Sequence, residues 1–370
     1  MNKIELLIKP TSYLCNLNCY YCFYKKTKSI YPEGKIMDLK TLEFFIQRFM
    51  DYSEGKNIYF CWQGGEPLLC GIDFYYKVIE FQKKYGKSGQ IVGNAIQTNG
   101  ILIDEKWIEF FLKYNIFVGI SLDGPEEIHN FYRKYNDGRK TYKKVIEVIN
   151  LIKKSNVQFN ILSTIGEHTG KFPEKIFNFF VNNNFQYLQF IPAIDRKNDK
   201  ISDFSTTPET YGNFLIKIFE LWWNNGFPSV SIRFFDNIIE VLSGFEPSNC
   251  TLKKRCGEYV VIEHNGDVYP CDFFVMQDFK LGNIFEEQID KIYDKLKRFG
   301  EMKEIQPVRC KDCEWNFICK NGCLWNRYVK WKNFKGVDYF CSSYKKFFSH
   351  SIERFKIIVK EILKFQNGKN

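Results

Sequence analysis

Six times between Leu6 and Trp223 a short apolar run with strand character is followed by a stretch whose apolar residues recur every three or four positions. The strand-like runs are Leu6–Lys9, Ile58–Trp62, Ile91–Gln97, Ile116–Leu122, Val157–Thr164 and Tyr187–Pro192. The helix-like stretches are Leu39–Asp51, Phe74–Tyr85, Glu105–Tyr114, Tyr142–Lys154, Phe172–Asn183 and Pro208–Trp223. Strands this apolar are buried on both faces, as in a parallel sheet, and right-handed crossovers curl repeated βα units into a barrel or part of one. The expected class is α/β, a partial (β/α)6 barrel of the TIM-like kind, whose chemistry gathers at the carboxyl ends of the strands. The unusual residues do follow strands: Cys15, Cys19 and Cys22 after the first, Gln63-Gly64-Gly65-Glu66-Pro67 after the second, Thr98-Asn99-Gly100 after the third, Ser121 to Gly124 after the fourth.

After Phe227-Pro228 the alternation stops. Tyr259–Glu263, His264-Asn265-Gly266 and Asp267–Tyr269 read as a β-hairpin, because Asn-Gly supplies the positive φ angles of a tight turn. Arg309–Cys341 has little periodicity and many cysteines, so metal is expected to organise it. Tyr344–Phe365 has the period of a terminal helix. The expected division is a core over residues 1–227, a small cysteine-rich domain over 228–343 and a terminal helix over 344–370. No internal repeat or low-complexity linker interrupts it.

Eleven of the 13 cysteines form three groups: Cys15, Cys19, Cys22; Cys250, Cys256, Cys271; and Cys310, Cys313, Cys319, Cys323, Cys341. Cys61 and Cys70 stand apart and read as buried small hydrophobes. The amino terminus lacks a signal peptide's apolar region and no run reaches bilayer-spanning length, so a cytoplasmic chain with reduced thiols is expected and metal ligation is favoured over disulfides. The formal charge of +10 comes from lysines spread along the helices, not massed for nucleic acid. Iron-sulfur clusters on those thiolates would lower it to roughly +5. Neither nucleic acid nor membrane is an expected partner.

Cys15-x3-Cys19-x2-Cys22 offers three thiolates where a closed zinc site wants four, which leaves one metal corner open for a ligand. A 4Fe-4S cluster with one such iron is chelatable by an amino and a carboxyl group. A zinc knuckle borrowing a fourth ligand is the competing reading. With the Gly-Gly-Glu-Pro motif after the second strand, the chain resembles the radical S-adenosylmethionine (SAM) enzymes. The resemblance implies that the open iron binds the methionine end of SAM, and that one electron cleaves SAM to a 5′-deoxyadenosyl radical that takes a hydrogen from substrate. It also implies SAM contacts at Tyr21, Gly64, Gly65, Glu66, Ser121, Arg133 and Ile194. Glycines let backbone come close, Glu66 suits an ammonium, Ser121 a ribose hydroxyl and Arg133 a carboxylate. Asp123-Gly124-Pro125 reads as a turn opening the next segment.

The eight later cysteines fill two four-thiolate clusters with none left over, although C-x2-C pairs also suit zinc. Their pattern resembles the SPASM extension of radical SAM enzymes that modify peptides and proteins. The resemblance assigns Cys250, Cys256, Cys271 and Cys323 to a nearer 4Fe-4S cluster and Cys310, Cys313, Cys319 and Cys341 to a farther one. Spacing alone does not choose that partition. With every corner held by thiolate, both suit electron transfer or structure, not substrate binding.

The matches LLIKPTSYLCNLNCYYCFY, QGGEP, QTNG, DGPEEIHN, VYPCDFF and LGNI sharpen the resemblance to the anaerobic sulfatase-maturating enzymes. It implies oxidation of a cysteine or serine in an unfolded or nascent sulfatase to Cα-formylglycine, with Asp272 as proton acceptor, three 4Fe-4S clusters and a flavodoxin- or ferredoxin-type reductant. Gln63, Tyr24 and Gln97 sit at strand ends or loops of the same face and are candidates for substrate contact or barrel lining. Lys25–Gly34 and Tyr135–Arg139 look short against relatives, and a basic Thr-Leu-Lys-Lys-Arg bridges Cys250 and Cys256; such loops carry peptide specificity. The alternative is a SPASM peptide maturase that cross-links a small ribosomal peptide. A non-enzymatic zinc-ribbon scaffold has no use for an open three-cysteine site.

Overall fold

Side chains that accept a backbone N–H start several helices of the repeated region. Asp38 accepts from Thr41, Asp104 from Trp107 and Thr207 from Thr210, satisfying donors that a first turn leaves over. In the computed structural model, which describes residues 3–226 and 228–367, the region runs β1 (Lys3–Lys9), α1 (Leu39–Ser53), β2 (Asn57–Trp62), α2 (Ile72–Tyr85), β3 (Val92–Thr98), α3 (Glu105–Lys113), β4 (Phe117–Ser121), α4 (Glu126–Tyr132), α5 (Tyr142–Lys153), β5 (Phe159–Ile165), α6 (Pro173–Asn182) and β6 (Tyr187–Pro192). A short hairpin of β7 (Arg196–Lys197) and β8 (Lys200–Ile201) precedes α7 (Pro208–Trp223). The six expected strands and six expected helices are all present. Helix α4 is additional: the Asp123-Gly124-Pro125 turn leads straight into it, and its 7 residues are too few for a period to register.

Next come β9 (Ser231–Ile232), α8 (Arg233–Leu242), β10 (Tyr259–Glu263), β11 (Asp267–Tyr269), β12 (Gly282–Asn283), α9 (Ile289–Glu301), α10 (Val308–Lys311), α11 (Asn316–Cys319), α12 (Leu324–Trp331) and α13 (Cys341–Asn367). The stretch expected to be aperiodic therefore contains a helix, α12, which buries Leu324, Trp325 and Val329. The terminal helix starts at Cys341 instead of Tyr344.

Contacts divide the chain into two compact units that interleave along the sequence. The first comprises the chain up to Ser121, Asn130–Phe159 and Gly257–Phe299. Its strands lie in the order β12-β11-β10-β1-β2-β3-β4. β10, β1, β2, β3 and β4 are parallel, so one end of this sheet collects five carboxyl termini. The expected hairpin is β10–β11, with Gly266 at φ +84° in its turn. It does not stand apart: β10 extends the core sheet along β1, in a register that pairs Lys9 with Glu263. Ile8, Ile58, Trp62, Val118, Ile120 and Ile262 are fully buried, as strands covered on both faces require.

The second unit comprises Leu122–His129, Asn160–Cys256 and the chain from Gly300. β6 pairs in parallel with β5 and β9. Helix α13 packs on α7 and α8 through Phe347 and Phe355 against Phe219 and Phe235. Arg354 of α13 also bonds Glu220 of α7 at 3.0 Å. Among the described residues no helix is long and apolar enough to cross a membrane.

Candidate active site

The loop bearing Cys15, Cys19 and Cys22 leaves the carboxyl end of β1 and is held from both sides. On one, Gly65 donates its N–H to the Ser12 carbonyl at 2.6 Å and Glu66 to that of Leu14 at 2.8 Å. A Cβ on Gly65 would overlap the Leu14 backbone, so only glycine permits this approach. On the other, Asn18 and Tyr20 donate N–H groups to the Lys134 and Tyr132 carbonyls at 2.8 and 2.9 Å. Asn99 closes the loop from β3: its amide reaches Asn16 Oδ1 at 2.7 Å and Cys15 Sγ at 3.7 Å.

Glu66 is buried, and its carboxylate accepts from Leu68 N–H (3.0 Å), Asn99 N–H (2.8 Å) and Thr98 Oγ1 (2.8 Å). It thus ties the loop after β2 to the loop after β3. Burial raises its pKa to about 7, opposed by those hydrogen bonds. Ser121 closes β4 and accepts from Gln97 Nε2 at 3.2 Å. The Arg133 guanidinium lies 5.4 Å from the centre of the Tyr21 ring, and that ring meets Tyr132 edge-on. Ile194 belongs to the second unit; it is buried, and its carbonyl accepts from the Trp325 indole at 3.1 Å.

Asp272 sits beside Cys271, with Oδ1 3.4 Å from that thiol and 3.4 Å from the Tyr259 hydroxyl. Lys9 Nζ is 3.8 Å from its Oδ2 and 4.4 Å from the centre of the Tyr24 ring. Lys9 is 1% exposed; burial lowers its pKa while Asp272 and Glu263 pull it back up. Tyr24 donates its hydroxyl to Glu263. Phe23 packs on Phe273 at 4.5 Å, so the segment after Cys22 meets the segment after Cys271 although some 250 residues of chain separate them.

The five cysteines of the third group, with Cys250 and Cys256, lie in the second unit. Burial pushes the Cys323 thiol up, with Cys250 and Cys256 the next contributors. Burial likewise raises Cys310, with Cys341 next, and raises Cys256 to about 11. Burial first, then Glu66, raises Cys15 too. Thiols this reluctant to ionise need a cationic centre to become thiolates, which is what an iron cluster supplies. Among the described residues no three His, Cys, Asp or Glu side chains close on a single-ion site. Cys61 and Cys70 are half-buried instead of fully buried; Cys61 packs against the Leu7, Tyr24 and Val261 cluster.

Residues 10–179 match the Radical SAM superfamily, and residues 250–314 an iron-sulfur cluster-binding domain, SPASM. The cysteine-type anaerobic sulfatase-maturating enzyme of Clostridium novyi (strain NT) is 38% identical, over 98% of this chain and 99% of that protein. The chain belongs to this family. The serine-type enzyme of Bacteroides thetaiotaomicron is 35% identical over 99% of this chain and 94% of its own. A solved structure described as native anSMEcpe with bound AdoMet and Cp18Cys peptide superposes with a TM-score of 0.91 at 36% identity, covering 97% of this chain and 99% of the other. As a radical SAM enzyme with a SPASM domain, the chain is an oxidoreductase that uses SAM and three 4Fe-4S clusters.

Two residues, and the role of a third, escaped the sequence reading. Lys9 and Glu263 each end an apolar strand, in LLIKP and VVIEHNG, where a buried charge is the signal. Asn99 was visible only as part of Gln-Thr-Asn-Gly, and nothing local marks it as a partner of Cys15.

Proposed function

We propose that this enzyme oxidises a cysteine or serine of a nascent sulfatase to Cα-formylglycine without oxygen. Its near full-length likeness to both cysteine-type and serine-type sulfatase-maturating enzymes carries the reading. Cys15, Cys19 and Cys22 hold the cluster that binds SAM; Tyr21, Gly64, Gly65, Glu66, Ser121, Arg133 and Ile194 line SAM itself. Cys250, Cys256, Cys271 and Cys323 hold one auxiliary cluster, and Cys310, Cys313, Cys319 and Cys341 the other. When bound, these groups supply hydrogen abstraction from the target β-carbon and a sink for the second electron. Asp272 takes the thiol or hydroxyl proton on a carboxylate oxygen, giving the aldehyde directly from serine or through hydrolysis of a thioaldehyde from cysteine. Lys9 orients that carboxylate, and Arg133, over the Tyr21 ring, presents its charge to the carboxyl group of SAM.

Thiols kept for iron call for a reducing compartment, so the site of action is the cytoplasm and a flavodoxin- or ferredoxin-type protein feeds the first cluster. The test is anaerobic reconstitution followed by mass spectrometry of a peptide carrying Cys-x-Pro-x-Arg, or its serine counterpart, incubated with SAM and reductant. The expected result is deoxyadenosine together with aldehyde on the target residue. Deoxyadenosine with every such peptide unchanged would reject sulfatase maturation in favour of cross-linking a different peptide.

A further inference from the structure

Lys303 and Arg327 are both fully buried in the second unit, and among the described residues neither has a carboxylate at ion-pairing distance. Lys303 donates from Nζ to the carbonyls of Cys250 (2.7 Å) and Thr251 (2.9 Å). Arg327 donates only to carbonyls: Asn321 from Nε and Nη2 (3.0 and 2.7 Å), Ile305 and Phe334 from Nη1 (3.0 and 3.2 Å), and Lys303 from Nη2 (3.3 Å). Carbonyl dipoles satisfy the N–H groups but leave two whole charges out of water, which is costly unless an anion answers them. The carboxylate that acts on Arg327, Asp338, is occupied by the N–H groups of Cys323 and Phe340, both at 2.7 Å, and by the Asn326 amide.

The other groups acting on Arg327 are thiols, those of Cys310, Cys323 and Cys256. Hydrogen bonds place both cations among the ligand segments: Lys303 Nζ holds the Cys250 carbonyl and also acts on Cys256 and Cys319, and Arg327, whose own N–H bonds the Cys323 carbonyl at 3.2 Å, holds the Asn321 carbonyl between Cys319 and Cys323, so each cation reaches both expected cysteine sets. A four-thiolate 4Fe-4S cluster is an anion that gains one further negative charge on reduction, and a fixed cation in a low-dielectric interior favours the more negative state. We propose that Lys303 and Arg327 form a cationic bridge, shared by the Cys250/Cys256/Cys323 set and the Cys310/Cys313/Cys319/Cys341 set, that raises the reduction potential of both auxiliary clusters. A raised potential fits them to accept an electron from substrate. The inference rests on the assignment of those cysteines to 4Fe-4S clusters.

The experiment is an EPR-monitored redox titration, with iron analysis, of the anaerobically reconstituted full chain, wild type beside Lys303→Gln and Lys303→Arg. The expected result is auxiliary midpoints that fall in Lys303→Gln and stay at the wild-type value in Lys303→Arg. Loss of auxiliary iron in Lys303→Gln but not in Lys303→Arg also supports the bridge, because charge is then what holds the clusters. Unmoved midpoints in a fully loaded Lys303→Gln overturn it, as does equal iron loss in both variants, which would assign Lys303 a role of shape alone. A wild-type chain retaining the iron of only one cluster would overturn the cluster assignment itself and the inference with it.

Discussion

Lys9 Nζ stands 3.8 Å from Asp272 Oδ2, at the end of a buried strand and over the ring of Tyr24. Glu263, the register partner of Lys9 in the neighbouring strand, holds the Tyr24 hydroxyl. One ammonium thus faces two carboxylates and a π face. Lys9→Met preserves length but removes the charge. Aldehyde formation should fall by roughly 10²-fold, the scale of a displaced reacting group. SAM cleavage should continue and Lys9→Arg should recover part of the loss. Equal loss of deoxyadenosine and aldehyde would mean that Lys9 supports the fold, not the carboxylate.

Asp272→Asn keeps the shape of the side chain and its contacts with Tyr259 and Cys271 but removes the proposed proton acceptor. Positioned bases contribute about 10²–10⁴-fold, so most aldehyde should disappear while deoxyadenosine is still made. The ratio of the two products, measured by mass spectrometry, is the readout. An unchanged ratio would remove Asp272 from the mechanism.

Much of this was legible because periodicity is local. Six strands and six helices announce themselves by spacing, and Asn265-Gly266 announces a hairpin. What spacing cannot carry is long-range pairing. Nothing near Tyr259 says that β10 will lie along β1, and that pairing is what brings Glu263 opposite Lys9. Helix α12 was missed because cysteines, glycine and charged residues crowd its flanks, and its 8 residues leave little room for a period. The partition of the later cysteines came from resemblance to a family; the thiols that act on one another are distant in sequence, as Cys323 is shifted first by burial and then by Cys250 and Cys256.

Gly65 is where two motifs touch. Its missing Cβ admits the Leu14 carbonyl, and its N–H fixes Ser12 at 2.6 Å. The cost of Gly65→Ala falls on backbone, which cannot rotate away as a side chain can. The loop carrying Cys15 must shift, so the variant should lose the iron of the first cluster and all SAM cleavage while retaining auxiliary iron. Full SAM cleavage by Gly65→Ala would contradict this close approach.

Glu66 gives a pH dependence with a definite sign. Burial raises its folded pKa to about 7, above the ordinary value of 4.5. Between those values the native chain keeps a proton that the unfolded chain has released. The contribution to stability is therefore complete below 4.5 and is lost as pH rises through 7. The whole effect is about 3 kcal/mol, from the two pKa values and 1.36 kcal/mol per unit. Glu66→Gln stays neutral throughout, at the cost of an amide N–H facing the N–H of Leu68 or Asn99. Denaturant unfolding of the reconstituted chain between about pH 5 and 8 should show wild type losing stability toward the alkaline end more steeply than the variant. Parallel profiles would mean that the hydrogen bonds from Leu68, Thr98 and Asn99 outweigh burial and keep Glu66 ionised across the range.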